Sequence, residues 1–237
     1  MYMYKNFKYF PATYSCIIVC MIYYVFAQFA VHNDIDLIRF GAKANFLIAD
    51  FKLWNLITPS FLHTEFFHLL SNLLGLMIVG KLVEAFIGTK NTVLLIFFSA
   101  IISNLGSYLL NDNDVISLGA SGIVFALFGV HIFLYLEHRD VFVSQMLPFA
   151  KQITILIVIN LVYTFIQPGI DIGSHLFGLL SGMCFCYLLS DKRHKLYAIS
   201  FLAIILALFI YKTIDYRNSE EFIFMKNLYR EYLRYIK

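Results

Sequence analysis

The chain predicts an all-α polytopic membrane protein, and three observations carry that reading. Hydrophobic residues make up 60% of the 237 positions, aromatic residues 18%, and mean hydropathy is +0.75, more apolar surface than a soluble core of this length buries. A spanning helix needs about 20 apolar residues, and runs of that order fall at 15–31, 66–88, 92–110, 116–137, 147–166, 172–190 and 196–214. Basic residues gather at alternate ends of these seven runs, as a chain threading back and forth requires.

The first run is long and lacks a clean small-residue cleavage site before Asn33, so it is expected to stay as a span rather than leave as a signal peptide. Lys5 and Lys8 precede it, Lys81 and Lys90 flank the turn between spans two and three, Arg139 and Lys151 follow span four, and Lys192, Arg193 and Lys195 follow span six. The opposite ends carry Asn111-Asp112-Asn113-Asp114 and Gln167-Pro168-Gly169, almost without basic residues. The positive-inside rule then places the N-terminus in the cytoplasm of a cell-membrane protein and the segment 32–65 outside. After span seven, residues 218–237 alternate aromatic and basic positions, with Asn218 and Glu221 spaced as a capping box, and read as an interfacial amphipathic helix.

Several classes are excluded on the same grounds. A net charge of +3 with dispersed basic residues offers no nucleic-acid face. Cys16, Cys20, Cys184 and Cys186 all fall within spans and form no C-x-x-C pair, so neither a disulfide framework nor a metal site is expected, and no cofactor is called for.

The polar residues inside the spans are more informative. An ionisable group at the bilayer centre costs about 2.5 kcal/mol or more, so such groups are functional candidates by default. Ser121 near the start of span four, His175 near the start of span six, and His68 with Asn72 near the start of span two all fall toward the outer side. His68 and Asn72 are i and i+4 on one helix face. His175, Gly178 and Gly182 form a stripe, and Gly122, Ala126 and Gly129 form another on span four. Small residues let helices approach closely, and facing stripes would make Ser121 and His175 neighbours.

In order along the chain stand Trp54 to His63 ending in Phe61-Leu62-His63, the H-x-x-x-N of His68 and Asn72, Glu84 followed by Gly88, Gly-x-Ser-Gly at Gly119 to Gly122, and Asp171 to Gly178 around His175. From Trp54 to Gly182 this resembles the rhomboid family of intramembrane serine proteases. The resemblance implies a rhomboid-like six-helix catalytic core, residues 1–190 with the outer loop 32–65, and an added transmembrane helix and tail over 191–237. It also implies a Ser121–His175 dyad, with His68 and Asn72 helping to hold the oxyanion. Substrates would be single-pass transmembrane proteins in the lipid bilayer, cut near the outer ends of their helices. The family's first loop commonly carries Trp-Arg, where this chain has Trp54-Asn55.

A serine hydroxyl needs an adjacent base, a role that neutral imidazole fills, so Ser121 would attack while His175 takes and returns the proton. The Ser121 backbone N–H, the Asn72 amide and His68 are candidate donors to the oxyanion. Gly119 and Gly122 would permit the sharp entry into the helix, and Phe125, one turn below Ser121, would stack on His175. Plainer readings stand beside these. His175 and Asn72 could be interhelical glue, His63 structural or interfacial, and His131 a packing residue. Glu84 could brace span two or snorkel toward Lys81, and Asp171 could complete a triad or cap span six. A catalytically inactive rhomboid-like protein that binds or traffics membrane proteins is the alternative function. A transporter using the same polar residues would need them to cross the bilayer, whereas they concentrate near one face.

Overall fold

The computed structural model describes residues 9–137, 139–166, 169–190 and 192–235. Lys5, Lys8, His138, Gln167 and Pro168, and the side chains of Arg139, Lys151, Lys192 and Arg193, lie outside the described residues. Among the described residues ten helices carry the fold: α1 (Pro11–Ala30), α2 (Asp34–Phe40), α3 (Asn45–Ala49), α4 (Phe66–Ile87), α5 (Thr89–Leu110), α6 (Ser121–Glu137), α7 (Arg139–Ile166), α8 (Ile172–Leu189), α9 (Lys192–Arg217) and α10 (Glu220–Tyr235). Two short 3-10 turns, Leu53–Leu56 and Thr58–Phe61, lead into α4. Among the described residues there is no strand, only a single antiparallel bridge between Lys43 and Ser117.

Seven of these helices are the apolar runs read from sequence; among the described residues five of them are long and apolar enough to cross a bilayer, and the apolar stretches of α6 (Ser121–Glu137) and α7 (Gln152–Ile166) are shorter. Helices of 22 residues, α4 and α5, reach about 33 Å against a hydrocarbon core of about 30 Å. Helix α4 contains a π turn at Leu76–Gly80, and Gly88 at φ +80° turns the chain sharply into α5.

Helix α6 departs from expectation. The hydropathy run starts at 116, yet the helix starts only at Ser121, because Gly119 adopts φ +114° and gives its N–H to the Pro59 carbonyl at 2.8 Å. Its 17 residues span about 25 Å. A Cβ on Gly122 would lie 2.6 Å from Cβ of Ser103, a residue seven positions before the end of α5. Ser121 therefore sits about 10 Å below that end. Apolar on every face, α6 is buried along most of its length at the centre of the bundle.

The centre is packed backbone to backbone. A Cβ on Gly182 would lie 1.9 Å from the Ala126 carbonyl oxygen, one on Gly178 2.4 Å from that of Gly122, and one on Gly129 2.0 Å from that of Leu179. Only glycine permits α6 and α8 to lie this close. Helix α9 is added on the outside, exposing Leu196, Ile204, Leu206 and Ile214. It touches α5 through a 3.1 Å contact between the Tyr108 and Thr213 hydroxyls, and through Lys212 Nζ donating to the carbonyls of Leu109 and Asn111.

At the end of the bundle away from Ser121, the Glu84 carboxylate is buried and accepts four hydrogen bonds. They come from the backbone N–H groups of Ala12 and Thr13 and the hydroxyls of Thr13 and Thr89, at 2.8–3.0 Å. Of the two readings of Glu84, the structure supports the brace: the side chain caps α1 and ties it to α4 and α5.

The C-terminal helix also differs from expectation. Its N-cap is Ser219, whose Oγ accepts from the Phe222 N–H at 3.2 Å, while Glu221 accepts from Asn113 instead of closing a box with Asn218. Part of α10 meets protein: Phe222 is buried, Tyr229 lies 5.4 Å from the Phe46 ring, Lys226 pairs with Asp50, and Tyr232 donates to Asp36, while Ile223, Phe224 and Leu228 stay exposed. A 16-residue amphipathic helix finds this partner because α2 and α3 present apolar residues with acidic neighbours.

Candidate active site

Two loops that meet below the ends of the helices build the site. Irregular backbone at membrane depth must have its polar groups satisfied by protein, and here the two loops satisfy each other. Lys43 and Ser117 exchange backbone bonds at 2.8 and 3.2 Å, Gly119 N–H reaches Pro59, and Ala120 N–H donates to His63 Nε2 at 3.2 Å. Asn55, standing where arginine is common, is fully buried and clamps the first loop by accepting from Ala44 N–H and donating to the Ala42 carbonyl, both at 2.8 Å.

His63 is the residue whose part in the site the sequence conceals. Its Nε2 accepts from the Asn72 side-chain amide at 3.0 Å as well as from Ala120, while Nδ1 faces the Phe61 carbonyl. One imidazole thus ties the α4 amide to the turn that precedes Ser121. Burial, aided by the neighbouring His68, pushes His63 down to about 4, so it stays a neutral acceptor. His68 lies edge-on to it at 5.1 Å.

Gly119 has no room for a side chain. A Cβ there would lie 2.6 Å from His68 Cε1 and 3.5 Å from the Asn72 amide nitrogen, and φ is positive. Gly122 likewise has Ser103 and Ser174 hydroxyls at 2.5 and 2.9 Å from a would-be Cβ. Ser121 occupies the first turn of α6, where backbone N–H groups lack intrahelical partners and the helix dipole favours negative charge.

Ser121, His68, Asn72 and His175 line one cavity of about 1260 Å³. Phe125 stacks on the His175 ring at 4.2 Å and 15°. Among the described residues no hydrogen bond joins Ser121 Oγ to His175, and His175 Nδ1 instead meets the Thr164 hydroxyl at 2.8 Å. Asp171 does not reach the imidazole. One of its oxygens accepts the Ser174 N–H at 2.8 Å, capping α8, and the other takes the Ser107 hydroxyl. Lys43 is buried nearby, its Nζ without a hydrogen-bond partner among the described residues; burial pushes it down to about 8 although Asp171 acts in the opposite sense. His131 is buried deeper in α6, away from the cavity lining.

The cavity walls include Phe67 and Ile78 of α4 and Tyr163 of α7, all largely exposed on the flank of the bundle. The wall on that flank is thus apolar while polar groups line the interior. The class defined is a multi-pass helical membrane protein with a recessed serine, histidine and amide cavity.

The family model described as Rhomboid domain matches residues 50–192, and the chain belongs to the rhomboid family. YdcA of Bacillus subtilis (strain 168), whose name places it provisionally among the rhomboid proteases, is 33% identical over 153 residues, 65% of this chain and 75% of that protein. Rhomboid protease GluP of the same organism is 34% identical over 150 residues, 63% of this chain and 29% of that protein. Rhomboid-like protease 1 of Toxoplasma gondii is 33% identical over 152 residues, 62% of this chain and half of that protein. Family membership and these names support intramembrane proteolysis as the general function.

Proposed function

We propose that the chain is a serine endopeptidase that cleaves single-pass transmembrane proteins near the outer ends of their helices through Ser121 and His175. The observation that carries this reading is the single cavity that Ser121, His175, His68 and Asn72 share, with its apolar wall on the α4 and α7 flank. Ser121 Oγ attacks the scissile carbonyl as His175 takes its proton, and His175 later protonates the leaving amine. The oxyanion meets the Ser121 N–H, the Asn72 amide held by His63, and His68. A helical peptide bond is shielded by its own turn, so the substrate must unwind before attack, and small or helix-breaking residues favour that step.

The test uses the full chain in proteoliposomes with a fluorogenic transmembrane peptide carrying such residues at one end. Wild type should cleave it and react with a fluorophosphonate at Ser121, and Ser121→Ala and His175→Ala should each abolish cleavage while remaining folded. Retained cleavage in either variant refutes the dyad. A wild-type protein inert in both assays would support an inactive rhomboid-like binding factor.

A further inference from the structure

The geometry points to Thr164 of α7 as the positioning residue that sets the tautomer and rotation of His175. A general base works only if the nitrogen facing the nucleophile carries no proton, and a third group on the other nitrogen normally secures this. Asp171, the obvious candidate four residues before His175, has both oxygens committed to Ser174 and Ser107. Thr164 is buried, and its Oγ1 stands 2.8 Å from His175 Nδ1.

The proposed role fixes the direction of that bond. A threonine hydroxyl has one hydrogen and two lone pairs. Given to the Asn160 carbonyl, which stands 2.7 Å away one turn back on the same helix, that hydrogen is no longer available to Nδ1. Thr164 can then only accept from His175, so Nδ1 carries the ring hydrogen and Nε2 is left with its lone pair. Phe125 holds the face of the imidazole at 4.2 Å, which leaves rotation in the ring plane as the remaining freedom, and the Thr164 bond removes it. When His175 takes the serine proton, the Nδ1–H becomes a charged donor and the same bond strengthens. Thr164 acts through His175 and touches neither substrate nor the reacting atoms.

This inference rests on His175 being the base, and the experiment separates the two ideas. Thr164→Val removes the hydroxyl at nearly constant shape, and Thr164→Ser keeps it. With the fluorogenic transmembrane peptide in proteoliposomes, Thr164→Val should lower kcat about tenfold, equivalent to one hydrogen bond of about 1.4 kcal/mol, with KM unchanged. Thr164→Ser should restore most of that loss. Spectra of 15N-histidine protein, with the His175→Asn spectrum subtracted, should show the Nδ1–H tautomer in wild type and Thr164→Ser and a mixture in Thr164→Val. A wild-type kcat in Thr164→Val, or an Nε2–H tautomer in the wild-type protein, overturns the role of Thr164 while Ser121→Ala remains dead. Cleavage surviving in Ser121→Ala overturns both ideas.

Discussion

Gly182→Ala tests whether the closeness of α6 and α8 is what keeps His175 beside Ser121. The added Cβ would lie 1.9 Å from the Ala126 carbonyl oxygen, so reaching ordinary contact requires the helices to part by about 1.5 Å. Neither partner is a side chain that can rotate away; both belong to helix backbone. Overpacking typically costs about 1–3 kcal/mol, and a clash relieved only by moving a helix falls at the upper end. Gly182 lies two turns from His175 on the same helix, so part of the displacement reaches the imidazole. A misplacement of about 1 Å at a reacting group can cost about 100-fold in rate. Fluorophosphonate labelling and peptide cleavage should therefore fall about 100-fold at a temperature where thermal unfolding in detergent shows the variant still folded. Leu180→Val, at a half-buried position off the glycine stripe, should cost less than threefold, as a small apolar truncation does. If Gly182→Ala matches Leu180→Val in rate and melting temperature, the backbone contact does not position the histidine and the reasoning fails.

Three further outcomes are expected. Asn72→Ala should lower kcat about 10- to 1,000-fold without abolishing it, as for one oxyanion donor among several; a wild-type rate would make Asn72 packing alone. His63 has its folded value depressed from 6.5 to about 4, so the unfolded chain binds the extra proton first. Its contribution to stability is complete above pH 6.5 and lost as pH falls through about 4; melting temperatures of wild type and His63→Phe should converge over that window, and parallel curves would refute the assignment. Glu84→Ala orphans the N–H groups of Ala12 and Thr13 and should destabilise the protein by about 3 kcal/mol, measured by thermal unfolding, with labelling of the remaining folded protein near normal. A melting temperature unchanged from wild type would refute the brace.

The fold class was legible because membrane helices announce themselves by length and apolarity alone. The start of α6 was not, since Ile116, Leu118 and Ala120 prolong the apolar run while the positive φ of Gly119 breaks the helix. Ser121, His68, Asn72 and His175 could be grouped in advance by depth, because an alternating topology fixes which helix ends share a side. The partners that hold them could not. His63 reaches Asn72 from a loop and Thr164 reaches His175 from another helix, so neither contact leaves a helical period. Asp171 had two chemically sound uses, and only the direction of its oxygens distinguishes cap from triad. The docking of α10 on α3 joins residues 176 apart, a separation over which pattern carries no information.

That last contact also counts membrane crossings. Asp50 and Lys226 touch, so both stand on the same side of the bilayer, and a chain that leaves one side and returns must cross an even number of times. Six apolar helices, α4 to α9, lie between them. With all six crossing the bilayer, α9 brings α10 to the side of the first loop, and a reporter fused after Tyr235 is expected to share that compartment with Asp50. A chain truncated before α9 would end on the opposite side, with the apolar face of α3 left bare.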